Sequence, residues 1–226
     1  MSARTLTSAA VACLVPVVLA GNALLLLAWG WLPRALYALP GFPDGDGLAG
    51  DDRLALATTG VDAIQPWDAG GMDGLRAALL PGGAPAFNAR EIAHMQDVRG
   101  VVTGLLIAWV VAVVLLAVAW LAGRGRPAHV EALRRGLVWG ALAAIGLLAF
   151  LGLFMLVDFD AFFTAFHGVF FEGDSWRFAS DDTLRRLYPY AFWGIAGGAL
   201  ALLTIGQALA IVVVARRRRV SAWTSS

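Results

Sequence analysis

The chain has 226 residues, of which 59% are hydrophobic and 15% charged, and its formal net charge is +1. Soluble domains carry about 45–50% apolar and about 25% charged residues, so this composition excludes an ordinary soluble domain and predicts an integral membrane protein. The small net charge gives no indication of a nucleic-acid partner. The single cysteine, Cys13, excludes an intrachain disulfide.

The first apolar segment covers residues 9–32. A membrane-spanning helix needs about 20 apolar residues, whereas the apolar region of a cleaved signal peptide has about 7–15. Small residues at Ala20, Gly21 and Ala23 leave a signal peptide open as an alternative. The length of the segment favours a retained transmembrane helix.

A polar segment rich in Gly, Pro and Asp follows at 33–97, and two stretches in it, 50–59 and 68–80, have helix-like patterns. Aspartates at positions 44, 46, 51 and 52 invite comparison with a calcium-binding loop. The spacing of such a loop and its closing Glu are absent, however, so we expect a solvated acidic loop.

The second long helix is predicted to begin after Asn88, because Asn caps helices well and Glu91 occupies the capping-box position. It continues into an apolar span at 100–122. A turn at 123–135, a third span at 136–157, a polar loop at 158–188 and a fourth span at 190–214 complete the chain. The sequence therefore predicts an all-α integral membrane protein, a single membrane domain over 1–226, with four transmembrane helices and two loops that carry short helices.

The arginines near the span ends indicate the orientation. Nine lie in the short terminal segments and the turn at 123–135, whereas eight are spread over the two long loops. The positive-inside rule then predicts a multi-pass plasma-membrane protein with both termini in the cytoplasm. The loops at 33–97 and 158–188 are predicted to be extracytoplasmic.

Two stretches that border apolar spans carry the candidate chemistry. In the first, at 87–99, Glu91, His94 and Asp97 are three residues apart and share one face of a helix. In the second, at 158–171, Asp160 and His167 share a face if residues 159–171 are helical. Both histidines are predicted at the depth of the outer headgroups, and we expect the two stretches to meet and form one site.

A neutral His held by a carboxylate is a general base near neutral pH, and Arg or a His N–H can stabilise a developing oxyanion. The candidate catalytic residues are His94, His167, Asp97, Glu91 and Asp160. The candidate substrate-binding residues are Asn88, Arg90, Arg99, Phe163, Phe166 and Trp176. Trp176 and Phe178 also extend an interfacial belt of aromatic side chains.

Neither a G-x-S-x-G serine-hydrolase motif nor an H-E-x-x-H zinc motif is present. We therefore expect no metal and no cofactor, although two histidines and an aspartate leave zinc as an alternative. Two other functions stay open. One is a non-enzymatic binding or assembly protein that uses the Gly- and Asp-rich segment 41–53. The other is a metal-dependent lipid hydrolase that uses the same His and Asp residues.

The two stretches resemble a family of bacterial four-helix membrane proteins. Its marks are an N-x-x-E-I-x-H-M-x-D-V-[KR] run before the second helix and a D-x-F-F-x-x-F-H-x-x-F-F segment, with a following Trp, after the third. Here they stand at 88–99 and 160–171, with Trp176. The characterised members are lipoprotein intramolecular transacylases of low-GC Gram-positive bacteria.

Those enzymes move an acyl chain from the diacylglyceryl group of a lipoprotein's N-terminal cysteine to its α-amine. The resemblance implies a membrane acyltransferase that acts at the outer leaflet on a lipid or lipoprotein substrate, with His94 and His167 as the catalytic pair. Which histidine is the base, and the oligomeric state, stay open.

Overall fold

The computed structural model describes residues 2–45, 47–48 and 50–224, with side chains through residue 217; Asp46 of the acidic loop lies outside this part of the chain. The described residues form helices and no strands. In chain order the helices are α1 (Ala3–Leu27), α2 (Trp31–Tyr37), α3 (Gly50–Ala63), α4 (Met72–Ala77), α5 (Ala89–Gly123), α6 (Pro127–Val157), α7 (Phe159–Phe170), α8 (Thr183–Leu187) and α9 (Tyr190–Thr224).

Four helices are long and apolar enough to cross a membrane, namely α1, α5, α6 and α9 through Arg217. This confirms the predicted all-α, multi-pass membrane fold. The predicted bounds of the first span were wrong, because α1 begins at Ala3 and ends at Leu27. Ser2 caps its start through a 3.3 Å hydrogen bond from the Thr5 N–H. Pro33, which has no N–H to continue a helix, lies instead in the first turn of the separate helix α2.

The predicted turn at 123–135 is also shorter than expected, because α6 already begins at Pro127. Proline suits the first helical position, where its missing N–H is not needed. One turn later, both Arg134 and Arg135 donate to the carboxylate of Glu131, at 2.7 and 2.9 Å. These charge pairs extend the helix beyond the apolar run that the sequence pattern marked.

The chain divides into two compact units. The first contains α1 through Leu24, Leu106–Val157 and α9 from Ala199 onward. Its core consists of aliphatic side chains from these helices: Val11, Val15, Leu19, Leu133, Ala141, Ala144, Ala208 and Val212. Two glycines of α6, Gly136 and Gly140, let the backbone of α1 approach closely, as small residues four apart do in membrane helices.

The second unit contains Leu25–Leu105 and Asp158–Gly198, and therefore the two polar segments. These segments bury an apolar core of their own: Leu48, Leu56, Ala57, Ala63, Met72, Leu75, Ala86, Phe87, Met95, Leu184 and Leu187. The acidic residues Asp44, Asp51 and Asp52 are exposed, as expected of a solvated loop.

The two short helices predicted in the first polar segment are present with different bounds. The first extends to Ala63, four residues beyond the predicted end at 59, and Arg99 donates to the Ala63 carbonyl at 2.8 Å. The second is confined to Met72–Ala77. It starts late because Gly71, whose N–H donates to Asp68, adopts a positive φ of 48° that ends any continuous helix from 68.

Candidate active site

The start of α5 is fixed by a reciprocal cap, as predicted. The Asn88 Oδ1 accepts hydrogen bonds from the N–H groups of Arg90 and Glu91, both at 3.0 Å. In return, the Asn88 N–H donates to Glu91 Oε2 at 2.8 Å. This capping box sets the rotation of the first turns of α5 and so decides where His94 points.

Glu91 is 1% exposed, and both of its carboxylate oxygens are used by backbone groups. Oε2 holds the Asn88 N–H, and Oε1 accepts from the N–H of Leu184, in α8, at 2.7 Å. The carboxylate therefore connects the start of α5 to α8. Helical spacing suggested that Glu91 would contact His94, but its hydrogen bonds go to these two backbone N–H groups.

Asp182, which was not among the candidate residues predicted from the sequence, strengthens the same connection. Its carboxylate accepts from the Asn88 Nδ2 and the Arg90 Nη2, both at 2.8 Å. The adjacent Thr183 hydroxyl donates to the Ala86 carbonyl at 2.5 Å. The only signal in the sequence was an Asp in the position that precedes a short helix, a position that usually indicates nothing more than a cap.

The two candidate stretches meet at their histidines. The rings of His94, on α5, and His167, on α7, lie 6.2 Å apart between centroids and are inclined by 27°. Both side chains are buried, with 8% and 9% of their surfaces exposed. Two imidazoles are thus held next to each other, away from bulk water.

His167 is held in one tautomer by the turn that precedes it. Its Nδ1 lies 2.7 Å from the Phe163 carbonyl oxygen, which only accepts hydrogen bonds, so Nδ1 carries the proton. Burial lowers the pKa of His167 below its ordinary value, although the bond to Phe163 opposes the shift. The neutral ring then presents an unprotonated Nε2, as a general base requires.

Aromatic rings surround His167. Phe163 lies 4.0 Å away between ring centroids, and Trp176 stacks on the imidazole at 4.6 Å with an angle of 27°. Phe166 is farther, at 5.5 Å, and 48% of it is exposed. The predicted substrate-binding aromatics therefore lie next to the imidazole, and Phe163 and Trp176 help to exclude water from it.

His94 has its own aromatic neighbours, with Phe171 at 4.9 Å and Phe178 at 5.3 Å, both edge-on. From the sequence, Phe178 was expected only to be part of an interfacial belt. Arg90, which is paired with Asp182, lies over the Phe178 ring at 5.4 Å. The connection between α5 and α8 thus also positions a wall of the site.

Two buried polar atoms at this site have no hydrogen-bond partner in the described part of the chain, His94 Nδ1 and Trp176 Nε1. Buried polar groups are nearly always paired, and an unpaired one in a cluster of reactive side chains suggests a place for a ligand atom. Neither Glu91 nor Asp97 therefore orients His94 through Nδ1.

Three predicted residues point elsewhere. Asp97 and Asp160 are both exposed. Arg99 donates to the carbonyls of Ala63 and Asp68, at 2.8 and 3.1 Å, and so supports the chain after α3. Across residues 2–45, 47–48 and 50–224, no three His, Cys, Asp or Glu side chains form a group that could hold a metal ion.

Comparison with known proteins identifies relatives of this arrangement. The family model of the lipoprotein intramolecular transacylase Lit matches residues 78–193, just over half of the chain. An uncharacterized protein from Aquifex aeolicus is 35% identical over 160 residues, which cover 70% of this chain and 68% of that protein.

Solved structures share the fold at low sequence identity. The membrane-integral lipoprotein intramolecular transacylase Lit from Bacillus cereus superposes with a TM-score of 0.79 at 18% identity, over 99% of this chain and 98% of that one. A variant of the same enzyme with one histidine replaced by arginine gives a TM-score of 0.75 at 18% identity, over 99% and 95%. The matched family segment contains α5 and α7, which carry the two buried histidines, and this chain belongs to the lipoprotein intramolecular transacylase family.

Proposed function

We propose that this protein is a lipoprotein intramolecular transacylase of the outer membrane leaflet, which moves an acyl chain from a glyceryl ester to the α-amine of the same lipoprotein. The observation that carries the proposal is the buried imidazole of His167. Its Nδ1 donates to Phe163, its pKa is lowered by burial, and its Nε2 is left to accept a proton. The family match supports the acyl-transfer chemistry.

The reaction needs one base and no enzymic nucleophile. His167 Nε2 takes a proton as the amine nitrogen attacks the ester carbonyl, a C–N bond forms, and the carbonyl electron pair moves to oxygen. The C–O bond to glycerol then breaks, and the proton passes to the leaving oxygen. One proton leaves nitrogen and one reaches oxygen, so the balance closes without a nucleotide. We assign His94, 6.2 Å away, the complementary role of a hydrogen-bond partner for the leaving oxygen.

The surface of α7 supports a lipid substrate. Phe166, Val169 and Phe170 are 48%, 76% and 39% exposed, whereas His167 on the same helix is buried. An amphipathic helix with exposed phenylalanines suits the boundary between headgroups and acyl chains. The acyl chains of the substrate can then stay in lipid while the polar ester reaches the histidines.

The test is expression in a bacterium that lacks lipoprotein N-acylation, followed by mass spectrometry of the N-terminal lipopeptides. We expect diacylglyceryl cysteine with a free amine to become the N-acyl, monoacylglyceryl isomer. His167→Gln and His94→Gln should each lower the rate about 10²–10⁴-fold, the usual contribution of a positioned acid or base. Cys13 is exposed and distant in sequence from both histidines, so Cys13→Ser is the matched control and should keep the wild-type rate.

One result would reject the proposed substrate, and two others would indicate a different function. Unchanged lipopeptides with confirmed membrane expression would reject this substrate. Full function in both His variants, with loss on changing segment 41–53, would indicate a non-enzymatic binding protein. Release of free fatty acid that stops on chelation and returns with zinc would indicate a metal-dependent hydrolase.

A further inference from the structure

The indole of Trp176 is held firmly but its N–H group is left without an acceptor. The side chain is 8% exposed, stacks on His167 at 4.6 Å and meets Phe163 edge-on at 5.9 Å. The guanidinium of Arg177 lies over the same ring at 4.9 Å. Nε1 itself is buried and has no partner in the described part of the chain.

Other tryptophans of this chain show how such groups are normally satisfied. The N–H of Trp31 donates to the Leu26 carbonyl at 3.0 Å, and that of Trp109 donates to Asn22 at 3.0 Å. An indole nitrogen donates and never accepts, so Trp176 requires an acceptor. Because a buried donor rarely stays unpaired, the missing acceptor is expected to arrive with a ligand.

The cationic side chains on this side of the site already have partners. Arg177, which lies over the Trp176 ring, pairs with Asp174 at 3.0 Å. Arg90 pairs with Asp182 at 2.8 Å, and Arg99 donates to the carbonyls of Ala63 and Asp68. The sequence had suggested arginine or histidine for an oxyanion. Besides His94, which we assign to the leaving oxygen, the tertiary structure leaves one more unpaired N–H beside the candidate base, the uncharged indole N–H of Trp176.

We propose that the Trp176 indole N–H donates a hydrogen bond to the acyl carbonyl oxygen of the substrate and stabilises the oxyanion of the tetrahedral intermediate. The inference rests on the proposed acyl transfer. The N–H of Trp176 and the Nε2 lone pair of His167 each lie in the plane of their ring, and the two stacked rings are 4.6 Å apart and inclined by 27°. In the tetrahedral intermediate, the amine nitrogen and the oxyanion are bonded to the same carbon. His167 can therefore contact the amine nitrogen while Trp176, on the adjacent ring, contacts the oxyanion.

The electron flow gives this contact its catalytic value. As the C–N bond forms, the π pair of the carbonyl moves to oxygen, and the resulting charge strengthens its hydrogen bond to Trp176. When the C–O bond to glycerol breaks, the pair returns and the carbonyl of the new amide forms. A donor that binds the oxyanion more strongly than the ground-state carbonyl raises kcat more than it lowers KM.

The first test is kinetic, with a diacylglyceryl-cysteine peptide and the full-length protein in lipid. Trp176→Phe keeps an aromatic ring against His167 and removes the donor, so kcat should fall about 10²–10³-fold with little change in KM. Benzothienylalanine at position 176, in which sulfur replaces the N–H, should have the same effect while it keeps the full stack. Trp31→Phe, which removes an indole N–H bonded to a backbone carbonyl, is the control and should stay at the wild-type rate.

The second test observes the N–H directly. In protein labelled with 15N-tryptophan, the indole signal that is missing in Trp176→Phe belongs to Trp176. A diacylglyceryl-cysteine peptide with an acetylated amine cannot react, and at saturation it should move this signal downfield while the Trp31 signal stays. An unmoved Trp176 signal overturns the inference.

The two proposals fail differently. A wild-type protein that leaves the reactive peptide unchanged rejects the proposed function, and the acetylated peptide still decides whether Trp176 binds a carbonyl. An active wild type, an inactive His167→Gln and a Trp176→Phe within about threefold of the wild-type kcat would uphold the function and overturn the role of Trp176.

Discussion

At the scale of single residues, the state of His167 depends on two contacts made within α7 and its neighbourhood. The carbonyl of Phe163, one turn earlier, fixes the proton on Nδ1, and the stacked ring of Trp176 shields the imidazole from water. Local helix geometry and aromatic packing thus favour the neutral form of this candidate base, without a carboxylate on the ring.

The lowered pKa of His167 predicts a definite pH response. The unfolded chain takes up a proton at about pH 6.5, the ordinary histidine value, whereas the folded chain does so only at lower pH. Stability linked to His167 is therefore complete above about pH 6.5 and is lost as the pH falls through the folded pKa. An NMR titration of the ring proton, assigned by its absence in His167→Gln, should give a pKa below 6.5; a value at or above it would contradict the shielding.

Glu91 provides a second prediction at this scale. Glu91→Ala removes a charged acceptor from two backbone N–H groups, and hydrogen bonds to charged groups contribute about 1.5–3 kcal/mol each. We expect a loss of roughly 3 kcal/mol in the free energy of unfolding, measured by thermal or denaturant unfolding in micelles. Glu131→Ala, which removes only partly exposed ion pairs, is the control and should cost less than about 1 kcal/mol.

Activity measurements distinguish a structural role of Glu91 from a catalytic one. If the residue only connects α5 to α8, the rate per folded molecule of a mild variant such as Glu91→Gln should follow its loss of stability and recover at lower temperature. A variant with wild-type stability and no turnover would show instead that the carboxylate acts in the reaction.

At the scale of elements, the site is made by joining segments that are distant in sequence. The capping box at Asn88 starts α5, and the same few residues hold Asp182, Thr183 and Leu184 of the α8 region. Trp176 and Phe178 lie just before that region. Their positions next to the histidines are therefore coupled to the N-terminal turn of α5.

The close approach of α1 and α6 gives a prediction for the first unit. A Cβ at Gly140 would lie 2.6 Å from the Val15 Cβ and 2.8 Å from the Ala12 carbonyl oxygen. Gly140→Ala should therefore destabilise the protein by about 1–3 kcal/mol, the usual cost of overpacking. Gly146→Ala on the same helix has no atom within 4 Å of the new methyl and is the matched control. Equal melting temperatures for the two variants in micelles would contradict the close packing.

At the scale of the whole molecule, the next prediction concerns the side of the membrane that carries the histidines. The arginine distribution predicts cytoplasmic termini, with the polar segments outside. In a Cys13→Ser background, a cysteine at the exposed Ser180 should react with an impermeant maleimide on intact cells. A cysteine at the exposed Arg126 should react only after permeabilisation. The reversed pattern would place the site in the cytoplasm and remove the outer leaflet from the proposal.

Features that depend on short stretches of chain could be predicted from the sequence alone. Four apolar segments long enough to span a bilayer predicted four long helices, because backbone groups in lipid must bond within their own segment. The capping box at Asn88 and Glu91 was readable because its partners are three residues apart. Helix ends were harder to predict, since they do not follow hydrophobicity. The Ser2 cap marks the start of α1, and Pro127, which needs no N–H there, marks the start of α6.

The tertiary structure decided what depends on distant partners. His94 and His167 are 73 residues apart in the chain, and only packing brings their rings to 6.2 Å. Helical spacing made Asp97 as good a partner for His94 as Glu91, yet one carboxylate faces out and the other bonds two backbone segments. A residue's type and spacing show which groups it can bond to, but its hydrogen-bond partners come from elsewhere in the fold. For that reason, the sequence could not show that the N–H of Trp176 is unpaired, and only the tertiary structure does.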